Sequence, residues 1–377
     1  MLGSSIRHWF QHLKCSTQDY TDACEIGLRS SNLQYAAYAF GHNMYCRFYQ
    51  GAPLATLIQE SQRSLDFSRT RLNQWAIDLL EGGLSIFHAL SSESPALSEP
   101  DAWSEEYLRR VEEHHNLQVT CIYKVLKTCS LLVLGSYDRA LQLSDEAESL
   151  IYTVGTQGLL PWPEHVFARL LILTALYAKA DDERQAHWRP ELDRLLHRLR
   201  IWADNCPDNF QHKYWLAAAE LARLDGRPVA AMRLYDQAVE AAQAGDFLQW
   251  EGLANERAYG FWLERGNAGT RVWRRFTGSR LMFVMTAGVL WPRCARWKRT
   301  TGRIWRTRWP AVIDPAHRWS PGNRSSGLPC WRNSSTNFAI MPPKCSKPNC
   351  AWRPPLRPRS WPMPRNGCAW RLASGSG

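Results

Sequence analysis

The chain has 377 residues, 45% hydrophobic and 21% charged, enough apolar material for one large core or two ordinary ones, which excludes a wholly disordered chain. Its net charge of +11 hides a division: residues 271–377 hold 21 of the 46 Lys and Arg but one acid, Asp314, while the first 270 residues sum to −9. The same C-terminal stretch takes 10 of 19 Trp and 13 of 21 Pro, so two different compositions meet near residue 268.

From residue 4 to 266 the pattern is helical, with breaks at Gly, Pro, Asn or Asp and no alternating strand run. Leu33, Ala36, Ala37, Phe40 and Met44 recur on one helix face, and Gly51-Ala-Pro53 stops that helix and starts the next. Helices are expected over 57–72 and 75–90, followed by a polar loop, 91–100. Further helices are expected over 104–134, 136–153, 162–180, 189–204, 209–225, 227–244 and 247–265.

Paired helices should leave a recurring joint. Gly51-Ala-Pro-Leu-Ala55, Gly135-Ser-Tyr-Asp-Arg-Ala140 and Gly226-Arg-Pro-Val-Ala-Ala231 each set a helix-ending Gly four or five residues before a small Ala. The expected fold is all-α: a TPR-like antiparallel helical-hairpin array, an α-solenoid, over 1–267, without a strict 34-residue period. Residues 268–377 form a basic Trp/Arg/Pro-rich tail of low order, since prolines at 342, 343, 348, 354, 355, 358, 362 and 364 oppose regular structure.

Several strings resemble the helical segment of very large bacterial signalling proteins. They are Trp202-Ala-Asp-Asn-Cys-Pro-Asp-Asn-Phe210, Ala219-Glu-Leu-Ala-Arg-Leu-Asp-Gly226, Ala231-Met-Arg-Leu-Tyr-Asp-Gln-Ala238 and Glu251-Gly-Leu-Ala-Asn-Glu256, with Asn32-Leu-Gln-Tyr-Ala-Ala-Tyr-Ala39 similar to the opening of that region. Proteins of that family run from a serine/threonine kinase-like domain through an AAA-type predicted ATPase and a TPR-like region to a GAF sensor and a histidine kinase. The resemblance implies a fragment, a scaffold arm that links ATPase to sensor and kinase modules and binds protein partners or those other domains. The chain carries no Gly-x-x-x-x-Gly-Lys-Ser/Thr phosphate loop and no His-Arg-Asp or Asp-Phe-Gly element, so none of the family's catalytic residues transfers.

The tail has the composition that a GC-rich gene gives in a wrong frame. Allowed codons for Thr286–Pro310, read one base earlier, spell GWGAVAKVREMETNYGPNLANSLA, which restores acids and is similar to the end of the family's helical region. A reading-frame slip near Gly266–Thr270 is therefore expected.

Residue clusters that could carry chemistry have simpler readings. Glu112-Glu113-His114-His115 lacks the i, i+4 histidines of a zinc helix, and neighbours on a helix point about 100° apart, so it reads as a solvated face. His165, His187 and His197 read as surface residues. Cys206, in Asn205-Cys-Pro-Asp-Asn209, reads as a packed joint rather than an activated thiol. Asp181-Asp182-Glu183 and Asp145-Glu-Ala-Glu148 read as solvating acids, and Trp250, Phe261 and Trp262 as inter-helix packing rather than a peptide site.

Cys345 and Cys350, with Cys330 and Cys368, are too irregular for a zinc site. Trp297-Lys-Arg299 and Trp305-Arg-Thr-Arg-Trp309 have ingredients for phosphate and base contact, so the alternative is a nucleic-acid- or anionic-membrane-binding adaptor acting through the tail. No catalytic, cofactor or metal residue is assigned, and no cofactor is expected. The thiols lack paired spacing and no window reaches an uninterrupted membrane span, so the expected compartment is the cytoplasm.

Overall fold

A computed structural model of the chain describes residues 2–91 and 102–265. The loop read over 91–100 lies almost wholly outside these residues, as do the tail 268–377, its cysteine and Trp/Arg clusters and the expected slip point at 266–270. Every regular element among the described residues is helical. The α-helices are α1 (Lys14–Arg29), α2 (Leu33–Tyr49), α3 (Leu54–Thr70), α4 (Gln74–Ser91), α5 (Ala102–Glu113), α6 (Leu117–Leu134), α7 (Tyr137–Thr153), α8 (Pro161–Tyr177), α9 (Asp182–Asn205), α10 (Pro207–Leu224), α11 (Pro228–Ala244) and α12 (Leu248–Glu264).

Each even-numbered helix packs on the next even-numbered one, and each odd-numbered helix packs chiefly on its neighbours in the chain. The even helices form an inner row. Sequence decides the row: α8, apolar nearly all round, buries 14 of its 17 residues, whereas α9 shows one narrow stripe of Leu192, Leu195, Leu199 and Ala203 and buries only these four of 24. Helix α6 is long and apolar enough to cross a membrane by composition, with a mean hydropathy of 1.5. Here it is a core helix of the inner row, 67% buried, and Lys124 and Lys127 interrupt its apolar run.

The joints repeat one device. Ser31, Gly51, Leu72, His115, Gly135, Gly226 and Asp246 all have φ between 52° and 81°, and the next residue donates its N–H to the carbonyl five positions earlier at 2.8–3.1 Å. This is the Schellman end, which bonds carbonyls the helix leaves open. Within the runs 31–51–72, 115–135 and 226–246 these residues fall 20 or 21 apart, one helix plus one joint. The three glycines picked out from sequence are all among them.

Two expected helix boundaries are corrected. The single helix over 104–134 is broken at His114–Asn116, because His115 takes the left-handed conformation with no glycine to announce it. The helix expected from 189 starts at Asp182, because the Asp181 carboxylate caps it by accepting from Arg184 N–H at 2.8 Å. Pro190 lies inside that helix on its exposed side.

The inner row turns back on itself. Gln249 at the start of α12 donates to the Tyr49 carbonyl at the end of α2. The segment before α1 fills the space inside: Asn209 of α10 accepts from Leu13 N–H at 2.8 Å and donates to the carbonyls of His8 and Gln11 at 2.8 and 2.7 Å. Beside it Trp9 packs against Trp162, Trp202 and Phe210, with ring centroids 5.5–6.3 Å apart.

Candidate binding groove

An open groove of about 770 Å³ runs along the N-terminal ends of α2, α4 and α6, bounded by α1 and by the turn leading into α8. Side chains at these ends point into the groove because the neighbouring joints set where each inner helix begins. Tyr35, Tyr38 and His42 lie on successive turns of one α2 face, at the spacing of three and four that aligns side chains along a helix. Trp75 enters from α4 and Tyr20 from α1.

Together these side chains make a continuous aromatic ladder. Ring centroids are 6.4 Å apart from Tyr35 to Tyr38, 4.8 Å from Tyr38 to Trp75, 5.2 Å from Trp75 to His42 and 6.4 Å from His42 to Tyr20. The Tyr38–Trp75 pair is edge-on, the arrangement ring quadrupoles favour. Gly41 lets α4 come close: a Cβ there would lie 2.9 Å from Trp75. Trp75 is also held by its indole N–H donating to Gln118 at 3.3 Å.

His42 is pushed down to about 4 by burial, so its ring is neutral near pH 7, and its Nδ1 pairs with the Tyr45 hydroxyl. Two carboxylates line the opposite wall. Asp19 is bound by the Arg7 guanidinium, one bond at 2.6 Å, whereas the exposed Asp22 meets only the neutral amide of Gln18 at 2.7 Å. None of the described residues lining the groove is Lys or Arg. The Tyr20 hydroxyl is buried and has no hydrogen-bond partner among the described residues.

The inner row itself holds ionised groups that are tied to one another. Glu164 of α8 accepts from Lys213 of α10, and both are almost fully buried. Burial pushes the Glu164 carboxyl up, opposed by Lys213. Burial would also raise Glu220, but Arg257 and Arg223 hold it below the usual carboxylate range, and Tyr235 donates to it at 2.8 Å. Such pairing is what keeps a charge tolerable inside a helical core. Among the described residues no group of three or more His, Cys, Asp or Glu is placed to hold a metal ion.

Several residues singled out from sequence are corrected. His165, read as a surface residue, is fully buried: its Nε2 lies 3.0 Å from the Ser144 hydroxyl, and burial, then Arg169, pushes it down to about 3. His187 and His197 are exposed. Glu112, Glu113 and His115 are exposed, but His114 is half-buried: it and Asn116 both meet the buried Asp78 carboxylate, at 3.0 and 2.6 Å. Asp145 is exposed, as read, but also accepts from Arg169 at 2.7 Å, and Arg169 donates to Glu191 at 2.5 Å, joining α7, α8 and α9.

Cys206 is buried at the α9–α10 joint and its thiol is pushed up by burial, opposite to an activated nucleophile. Trp250 and Phe261 are buried and Trp262 is half-buried. The groove itself escaped the sequence reading, although Tyr35 and Tyr38 stand in the string Asn32–Ala39 already noted for its resemblance. Its signal was an aromatic spacing of three and four, 35–38–42, on a helix that also carries Phe40, Tyr45, Phe48 and Tyr49.

No protein-family model, curated protein or solved structure matches this chain.

Proposed function

We propose that this chain is a non-catalytic protein-interaction and signal-relay scaffold, a TPR-like α-solenoid arm of the kind that joins ATPase, sensor and histidine-kinase modules in large bacterial signalling proteins. The observation that carries the reading is the inner row of parallel-stacked helices with a wide aromatic groove at one edge. Stacked hairpins gain most of their stability from nearest neighbours, so such an array can bend and pass partner occupancy along its length. The Schellman joints spaced at 20 or 21 residues supply the repeated unit, about 40 residues per hairpin. The signalling role itself rests on the sequence resemblance in 202–256 and 32–39.

The DNA encoding the chain tests that resemblance. Read in all three frames downstream of Gly266, it should hold an open frame that restores acidic, helix-forming sequence and leads towards a sensor module. Absence of any such frame overturns the family assignment. A second reading, an adaptor for nucleic acid or an anionic membrane, is favoured by one feature, the +20 charge of residues 271–377. It requires salt-sensitive capture of DNA, RNA or anionic vesicles that resides in that segment.

A further inference from the structure

The structure assigns to the aromatic groove a ligand class: an extended peptide segment of a partner protein that presents an arginine or lysine side chain. The assignment rests on the scaffold reading and deepens it. Four observations converge on it. The five-ring ladder from Tyr35 to Tyr20 offers a continuous run of ring faces and edges, and aromatic faces attract guanidinium and ammonium groups. Two carboxylates complete the wall: Arg7 already holds Asp19, whereas Asp22 has only a neutral amide partner and can take a charge-assisted bond. A nucleic-acid backbone would meet the uncompensated Asp22 unfavourably, which separates the groove from phosphate ligands.

The Tyr20 hydroxyl supplies the third observation. It lies on a residue only 6% exposed, belongs to the groove lining, and pairs with no described group, so a peptide carbonyl or N–H reaching it would satisfy a buried polar atom. Fourth, helix ends and the joint beside the groove carry exposed apolar side chains: Ile26, Tyr35 and Leu72 are 62%, 62% and 87% exposed. Leu72 neighbours Trp75 across a second, smaller hollow at the same edge. Residues flanking the bound cation would lie on these.

The test uses the full chain and an immobilised array of random nine-residue peptides. Three variants are compared with the parent: Tyr35→Ala, Asp22→Asn and Asp22→Lys. Both positions are exposed, and unchanged helix content by circular dichroism establishes that the variants fold. Peptides retained by the parent and lost by the variants should be enriched in Arg or Lys. Their affinity should fall about tenfold in Tyr35→Ala, the effect of losing one well-placed aromatic contact. Asp22→Lys should weaken them more than Asp22→Asn. The assignment is overturned if the lost peptides are acidic, if no peptide is lost, or if Asp22→Lys binds as the parent does. Should whole sensor or kinase modules still bind in that event, the groove assignment falls and the scaffold reading stands.

Discussion

Lys213 on α10 donates to Glu164 on α8 at the centre of the inner row, with its ammonium 5.7–5.8 Å from the ring centroids of Phe210, Phe247 and Trp250. The two residues are 49 apart in sequence, and each is 1% exposed or less. Three aromatic rings and one carboxylate thus replace the hydration shell of the ammonium.

Removing one partner should cost far more than removing both. Lys213→Met leaves an uncompensated carboxylate in the core and should destabilise the chain by about 3–5 kcal/mol. The double variant Lys213→Met, Glu164→Leu should recover most of that loss. Urea unfolding followed by far-UV circular dichroism checks it, and equal loss in the single and double variants contradicts it.

Two adjacent glycines of α4 should respond differently to alanine. A Cβ on Gly82 would lie 2.3 Å from the Tyr107 hydroxyl and 2.9 Å from the Tyr123 ring, and Tyr107 is held by donating to the Asp78 carbonyl at 2.7 Å. A Cβ on Gly83 would meet Met44 Sδ at 2.2 Å, part of a flexible side chain. Helix propensity favours either change by about 1 kcal/mol. Overpacking against the fixed tyrosine costs about 1–3 kcal/mol. Gly82→Ala should therefore lower the midpoint of thermal unfolding more than Gly83→Ala.

The joints carry strain that can be relieved. Leu72 is 87% exposed with φ +52°, a conformation that costs a side-chain-bearing residue about 1–2 kcal/mol. Leu72→Gly should raise the stability of the chain by about 1 kcal/mol, and Gly135→Ala, at φ +75°, should lower it by a similar amount. Denaturant midpoints of the two variants should shift in opposite directions.

The buried His165 sets a pH dependence. Its folded value of about 3 lies below its ordinary 6.5, so the unfolded chain binds the extra proton. Stability from this group is full above pH 6.5 and falls as pH drops from 6.5 towards 3, by up to about 1.4 kcal/mol per pH unit. His165→Gln should flatten the stability profile of the chain across that range by up to this amount. Ring resonances of His165 that stay neutral at pH 5 in the folded protein would agree, and a titration near pH 6.5 would contradict it.

What the sequence revealed and what it hid have physical causes. The glycines at 51, 135 and 226 announced their joints because a left-handed residue is cheapest as glycine. Ser31, Leu72, His115 and Asp246 occupy the same seat without that mark, so the α5–α6 break was invisible. His165 was misplaced because a lone histidine reads as polar. The better signal was its setting: α8 is apolar around its circumference, so any polar residue on it must be buried and paired. The partner of Glu164 could not be found by spacing, since α8 and α10 meet only through the stacking of the inner row. The aromatic groove needed residues from α1, α2 and α4 brought to one edge, and local periodicity supplies only the α2 part.

The measurement that bears most directly on the whole account is a calorimetric titration of the purified chain with recombinant AAA-type ATPase, GAF and histidine-kinase modules from the signalling proteins it resembles, alongside an assay for ATP hydrolysis by the chain alone. Saturable binding of at least one module, weakened by Tyr35→Ala, together with no hydrolysis above background, is the predicted result. Hydrolysis by the chain with no heat of binding to any module would contradict it.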